Sequence, residues 1–244
     1  MYTLLYYLHI YNKMVALLIL RRDFYNVSLE NDLESAILKI NVFYNKLSTE
    51  YTGEIFNFRK EKVKNVIDDD SIIKDTYQNI FDNYRQFLID NQLSLYTLNF
   101  DLENMFDAND LYKINERIKA ANSIYEKLRR YCDKKEKGDI SLNKCLNDFF
   151  GIRMIFTDLI ENEQNILKTL EELKKSGIIR KYYIRNDGAY SGIHITLNGN
   201  DNLRFPWELQ LWDKSKFESN MNAHELHKEM TKYTNIPRRY FTKM

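Results

Sequence analysis

The sequence predicts an α/β (α+β) chain, a mixed β-sheet flanked by helices and preceded by a helical N-terminal extension. Two observations carry this. The first 137 residues hold one glycine, Gly53, and no proline, whereas the rest holds the other six glycines and both prolines, Pro206 and Pro237. Few breakers and long amphipathic stretches mark a helical first half. After Lys137 the pattern turns to strand–helix–strand followed by adjacent strands, as expected of a sheet with helices packed on it.

In the first half, Asp32–Lys46 and Ile72–Ile89 repeat apolar residues every three or four positions, as amphipathic helices do. Ser48–Asp70 is polar and weakly patterned and reads as a linker, dividing the chain into a helical extension (1–70) and a main domain (71–244). Ser123-Ile124-Tyr125-Glu126 has the form of a capping box, which would start a helix at Ser123. Phe149–Phe156, Ile178–Arg185, Ile193–Leu197 and Phe205–Trp212 are rich in β-branched and aromatic residues and read as strands. Glu163–Ser176 is a helix, with Ile166, Leu167, Leu170 and Leu173 on one face and Gly177 as its stop. A last helix is expected from about Glu218 to Tyr233, before Pro237.

Composition excludes several classes. Lysine plus arginine (36) nearly balance aspartate plus glutamate (35), so the net charge of +1 gives no global attraction to nucleic acid or membrane, and any polyanion site must be local. Cys132 and Cys145 form neither a metal-spaced pair nor a disulfide framework, in keeping with a reducing, cytoplasmic setting. Residues 2–20 are mostly apolar, but His9, Asn12 and Lys13 interrupt them and Met14–Leu20 is far short of a bilayer span. This points to a buried segment rather than an anchor, and Met14 offers an alternative start. His224-Glu225-Leu226-His227 has one residue between Glu225 and the second histidine where a zincin has two, so a catalytic zinc site is excluded.

Four polar clusters follow one another. Ser123, Lys127 and Arg130 share a side of one predicted helix, with Arg117 and Lys119 in the segment entering it. A helix start with several cations suits a polyphosphate, although an ordinary solvated helix face can look the same. Asp148 opens a strand beside Gly151 and Arg153, where a carboxylate next to close backbone approach suits a magnesium ion, and equally a turn cap. Tyr190 and His194 lie four residues apart after a small-residue turn and could meet a base and an acceptor group. Glu208 and Gln210 share one face of a strand whose other face is Trp207, Leu209 and Leu211; a mid-strand carboxylate is costly unless it meets a cation or a partner.

In this order the clusters resemble the synthetase domain of the RelA/SpoT family of alarmone synthetases. The first matches that family's Arg, Lys, Ser, Lys and Arg at Arg117, Lys119, Ser123, Lys127 and Arg130. The others match at Asp148-x-x-Gly151-Ile152-Arg153, Tyr190-x-x-x-His194 and Glu208-x-Gln210, with a trailing His227-Lys228. The resemblance implies a nucleotidyltransferase-like fold and transfer of the β,γ-pyrophosphate of ATP to a ribose 3′-hydroxyl of GDP or GTP. Arg117 and Arg153 would flank the adenine, and Lys119, Ser123, Lys127 and Arg130 would bind the ATP phosphates. Asp148 and Glu208 would hold Mg²⁺ and carry catalysis. Tyr190, His194, Gln210 and Arg185 would meet the acceptor.

Two stretches depart from the family's usual pattern. Ala189 precedes Tyr190 and Ser191-Gly192 follow it, where glycine and Lys-Ser are usual; Leu211-Trp212-Asp213 replaces an apolar residue and Arg-Thr after Gln210. Both fall on the acceptor side. They leave two alternatives to a guanosine acceptor: a toxin that pyrophosphorylates the 3′ end of tRNA or makes adenosine alarmones, and a non-catalytic nucleotide-binding module. Lys134, Lys135, Lys137, Arg180, Lys181 and Arg185 could give a local basic surface or merely solubilise the chain. An antitoxin partner and a homo-oligomer are among the assemblies that small members of this family suggest.

Overall fold

The computed structural model describes residues 29–68, 72–106, 110–133, 137–197, 199 and 202–230. The apolar stretch 2–20, Met14, Lys134, Lys135, Tyr233 and Pro237 lie outside them. So do the side chains of His224, His227 and Lys228.

Five strands form one mixed sheet in the order β1 (Leu111–Ile118), β2 (Phe150–Phe156), β5 (Trp207–Asp213), β4 (Tyr190–Leu197), β3 (Lys181–Asp187). β2 and β5 run parallel and the other neighbours antiparallel. The mixed sheet with flanking helices is the architecture the sequence predicts.

The helical half opens with α1 (Leu29–Glu50), whose Leu33, Ala36, Ile37, Ile40, Tyr44 and Leu47 repeat at helical spacing and are all buried. The segment read as a linker is not a solvated spacer. Phe58, Val63, Val66 and Ile67 are buried in the core, and α2 (Val63–Val66) is a single turn within it. α3 (Asp75–Asp90) follows, ending at Asn91, and α4 (Gln92–Glu103) continues at once, with Leu95, Leu98 and Leu102 buried.

One face of the sheet is apolar throughout its middle strands. Phe150, Trp207 and Leu197 form one row across it; Ile152, Leu209 and Ile195 the next; Met154, Leu211 and Ile193 a third. Residues paired across strands share a face, so this apolar set is continuous, and α1 and the following helices cover it. Rings from distant segments meet beneath it. Tyr84 stacks on Phe205 at 3.8 Å, accepts a 2.8 Å hydrogen bond from Trp207 Nε1, and Tyr44 meets Trp207 edge-on.

Three local outcomes differ from the sequence reading. β1 was not anticipated as a strand. It is an edge strand with Ile114 as its one buried residue and polar side chains on both faces, so it lacks the alternation that reveals a strand. The helix α5 (Ala121–Cys132) starts before Ser123: Ala120 occupies the cap position without a side-chain cap, and Ser123 stands third in the helix. The chain turns directly off β1, where Lys119 N still donates to Phe149 O, which leaves no extended residue at Ser123 for a capping box. β3 begins at Lys181 rather than Ile178. The N–H groups of Ile178 and Ile179 both donate to Leu173 O, closing α7 (Glu163–Lys175), while Gly177 takes φ +77 and donates to Lys174 O.

After β5, a short 3-10 turn (Lys214–Lys216) leads into α8 (Phe217–Met230), which packs against β4. No helix among the described residues is long and apolar enough to cross a membrane.

Candidate active site

The second face of the sheet is polar, and strand register organises it. Arg117, Gly151, Glu208, Thr196 and Lys181 align across all five strands; Asn115, Arg153, Gln210, His194 and Tyr183 form the adjacent row. Seven of the residues expected at the site fall on this face because each sits an even number of positions from a partner in its own strand. Gly151 leaves the floor open between Arg117 and Glu208. A Cβ there would meet only their backbone oxygens at 3.9 Å, and any larger side chain would project into the site.

At one end Asp148, just before β2, is clamped by three cations. Lys119 Nζ donates to it at 2.8 Å, Lys127 Nζ at 3.2 Å and Arg117 Nη2 at 3.3 Å. Burial alone would raise the Asp148 carboxyl, but Lys127, Lys119 and Arg117 hold it far below the ordinary carboxylate range. Burial in turn lowers Lys119 to about 8, against the opposing pull of Asp148. Lys127 also donates to Asn147 Oδ1 at 3.3 Å, and Asn147 Nδ2 donates to Glu208 Oε1 at 3.2 Å, so Asn147 bridges the two acidic positions. Ser123 and Arg130 lie on α5 one turn either side of Lys127, both half-buried.

Glu208 is almost completely buried and its oxygens have three protein donors: Asn147, His194 Nδ1 at 3.1 Å and Gln210 Nε2 at 2.7 Å. Burial pushes its carboxyl up; the hydrogen bonds from His194 and Gln210, with the charge of His194, outweigh that and leave it below the usual value. His194 Nε2 shares a 2.8 Å hydrogen bond with the Tyr190 hydroxyl, whose oxygen accepts from Trp212 Nε1 at 3.0 Å. A continuous chain thus runs Trp212–Tyr190–His194–Glu208.

Tyr190 is not an open platform in this arrangement. It is 6% exposed, meets Trp212 edge-on, and carries the Arg185 guanidinium 5.1 Å above its ring, so a base could stack there only if Arg185 lifts away. Arg185 itself is tied to Asp187 at 2.9 Å near the sheet edge. Tyr183, which the sequence reading did not single out, is 39% exposed and stacks on the His194 imidazole at 5.0 Å. Arg153 lies 3.6 Å over the Trp212 ring and donates twice to Gln210 Oε1, at 3.1 and 3.0 Å. Burial lowers Arg153 to about 10, which leaves it charged at neutral pH.

The two departures seen in the sequence are one packing unit. A Cβ on Gly192 would lie 2.8 Å from Trp212 Cδ1 and 3.2 Å from the backbone oxygen of Leu211. Gly192 therefore makes the space that the Trp212 indole fills. Asn147, Thr196 and Tyr183 escaped the sequence reading, and Trp212 entered it only as part of a departure from the family's pattern. Asn147 could have been found by its place beside Asp148; the others carry no signal until the register is known.

The donor set suits a hard divalent cation shared with a substrate. Asp148 and Glu208 lie close enough for the charge of Asp148 to act on Glu208, and both are ionised. No group of three or more acidic, histidine or cysteine side chains forms a metal cage among the described residues. Magnesium, which keeps waters and takes one or two carboxylates beside phosphates, fits such a pair better than an ion needing a full protein cage.

Residues 116–233, which include every residue above except Asn115, match the family model described as "Region found in RelA / SpoT proteins". This part of the chain belongs to the RelA/SpoT family. The RelA/SpoT region thus contains both the clamped Asp148 and the Glu208 chain. No curated protein matches the chain. Among solved structures, the small alarmone synthetase 1 from Bacillus subtilis bound to its product pppGpp is similar at 20% identity, covering 68% of this chain and 86% of that one, with a TM-score of 0.39. The same protein bound to AMPCPP is similar at 19%, covering 64% and 83%, with a TM-score of 0.37. A GTP pyrophosphokinase family protein from Streptococcus pneumoniae is similar at 16%, covering 66% and 84%, with a TM-score of 0.39.

Proposed function

We propose that the chain is a Mg²⁺-dependent pyrophosphokinase that transfers the β,γ-pyrophosphate of ATP to the 3′-hydroxyl of GDP or GTP, making a (p)ppGpp-type alarmone. One observation carries the reading: within a RelA/SpoT region, two buried, ionised carboxylates stand on one sheet face, one clamped by cations and the other at the end of a hydrogen-bonded chain. A structural ion pair needs only the first.

In this reading the acceptor's 3′-oxygen attacks the β-phosphorus. The bond from that phosphorus to the oxygen bridging it to the α-phosphorus breaks, and AMP leaves with the electron pair. Lys119, Lys127, Arg130 and Ser123 hold the phosphates, Arg117 and Arg153 flank the adenine, and Glu208 takes the proton of the attacking hydroxyl. Asp148 and Glu208 would hold Mg²⁺, which when bound would neutralise phosphate charge. Bringing anions together makes positioning and charge neutralisation the main sources of rate, which is why a preformed cationic corner suits this chemistry. Asp148 keeps Lys119 and Lys127 in place until phosphates arrive to share them.

The test is incubation with Mg²⁺ and ATP labelled in its terminal phosphates, with GDP, GTP, AMP or bulk tRNA supplied in turn. Label on GDP or GTP supports the reading. Label on tRNA or AMP instead would move the acceptor to the alternatives that Gly192 and Trp212 leave open, and no transfer to any acceptor would point to a nucleotide-binding module.

A further inference from the structure

The two-residue period of β5 brings Glu208, Gln210 and Trp212 to the site face in succession. Glu208 and Gln210 have places in the proposed chemistry, and Trp212 has none. Trp212 is fully buried, pairs with Ile155 of β2, and sits in the space that Gly192 leaves. Ile155, Tyr190 and Trp212 form a small cluster apart from the main core, and Phe217, Met221 and Ala223 of α8 pack against it. The indole is held from several sides.

Two arms of contacts reach Glu208 from this one ring. Over its face, 3.6 Å from the centre, lies the Arg153 guanidinium. Arg153 donates twice to Gln210 Oε1, and Gln210 Nε2 donates to Glu208 Oε2. At the ring edge, Nε1 donates to the Tyr190 oxygen at 3.0 Å. The Tyr190 hydroxyl shares a hydrogen bond with His194 Nε2, and His194 Nδ1 meets Glu208 Oε1. The arms end on different oxygens of one carboxylate, so these side chains close a ring. Asn147, the further donor to Glu208, enters from outside it, just after the helical turn α6 (Leu142–Cys145). An indole N–H and a guanidinium only donate, and an ionised carboxylate only accepts, so the ring has a fixed polarity: donors at Trp212 and Arg153, acceptor at Glu208.

The two contacts of Trp212 fall on different substrates. In the proposed function Arg153 flanks the adenine and Tyr190 meets the acceptor, while the indole is buried behind both. We infer that Trp212 is a positioning residue for both substrates: its ring face sets Arg153 for the donor's adenine, and its N–H sets Tyr190 for the acceptor. The identity of the two ligands rests on the proposed function. The two parts are separable because their chemistry differs. A cation over a ring needs only the π face, which phenylalanine also offers, whereas the hydrogen bond needs the indole nitrogen.

The test compares Trp212→Phe, which keeps a ring under Arg153 and loses the N–H, with Trp212→Leu, which loses both. Circular dichroism and thermal melts check folding. Calorimetric titration with a non-hydrolysable ATP analogue should give a dissociation constant within about twofold of wild type for Trp212→Phe. For Trp212→Leu it should be at least about threefold weaker, the scale of a cation–π contact. In turnover, Trp212→Phe should raise the acceptor KM about two- to tenfold, the scale of one neutral hydrogen bond, while the ATP KM stays fixed. A merely structural role would move donor and acceptor constants in step, so proportional losses in both variants, or no change in either, overturn the inference.

The wild-type protein gives a second reading that needs no variant. It has two tryptophans, and Trp207 donates to Tyr84 on the opposite face of the sheet. In an N–H correlation spectrum the ATP analogue should therefore shift one indole signal and leave the other in place. No shift in either signal overturns the role of Trp212. If that shift and the divided ATP-analogue constants appear but no acceptor is pyrophosphorylated, the proposed function fails and the positioning of Arg153 by Trp212 stands.

Discussion

The corner around Asp148 and the edge around Tyr190 occupy the same sheet face and are held by different physics. At Asp148, one buried carboxylate holds three cations within 3.3 Å, and the geometry is set by charge. At Tyr190, rings and single hydrogen bonds set it: Trp212 fills the space over Gly192, donates to Tyr190 and supports Arg153. Charge acts over distance and tolerates small shifts, whereas ring packing fails within a few tenths of an ångström. The first region is therefore suited to a ligand of fixed charge such as a polyphosphate, and the second can select by shape.

The largest effect should come from Asp148→Asn. Breaking a buried ion pair on one side costs about 3–5 kcal/mol, and the lower end applies because Arg117 is half exposed and contributes little. The sign follows from the depressed carboxyl. Its stabilisation is complete above the unfolded value near about 3.9, and is lost as pH falls through the lower folded value. Denaturant unfolding at pH 7 should thus show a loss of about 3 kcal/mol together with loss of transfer. A loss under about 0.5 kcal/mol would mean the cations do not depend on Asp148, and the contrast between the two regions would collapse.

Glu208→Gln comes next, with transfer falling at least about 10²-fold, the scale of one preorganised electrostatic group. The new amide would face the Gln210 Nε2 donor, whose own oxygen is already engaged by Arg153, so a further loss of about 1 kcal/mol of stability is expected. Single-turnover assays and thermal melts separate the two effects. Near-normal turnover in a folded variant would remove Glu208 from the chemistry.

How much of this was legible in the sequence follows the same division. Of the clamp, local periodicity places Ser123, Lys127 and Arg130 on one side of a helix with Arg117 and Lys119 leading into it, whereas the meeting of Asp148 with these cations depends on the pairing of β1 with β2. β1, by contrast, is recognisable as a strand only through its pairing with β2. Thr196 and Tyr183 join the two polar rows, one each, only through cross-strand register, which is a property of the sheet and not of any segment. The capping box at Ser123 misled for a related reason: the tertiary turn off β1 decided where α5 begins. Gly192 and Trp212 lie 20 residues apart and show their complementarity only once β4 and β5 pair.

Gly192→Ala probes that complementarity directly. The added methyl would press on the indole at 2.8 Å and on a backbone oxygen at 3.2 Å, and overpacking of this kind costs about 1–3 kcal/mol. Pairing it with Trp212→Leu should recover most of the loss, because the indole is then absent. A double-mutant cycle on stability measures this, and strict additivity would show that Gly192 and Trp212 are not coupled.

The smallest effect, and the one that best isolates the charged corner, is the pH dependence of ATP affinity. Lys119 sits at about 8 rather than 10.5, so its charge is lost as pH rises through 8 while an exposed lysine would keep it. If only the charged form grips phosphate, KM for ATP should climb up to about tenfold between pH 7 and 9, following the fall in the charged fraction. Lys119→Arg should flatten that rise, since a guanidinium stays charged throughout the range. Acceptor KM should not follow the same curve, because Lys119 touches Asp148 and not the Tyr190–His194 chain. A parallel rise in both constants would show that the two regions act as one electrostatic unit after all.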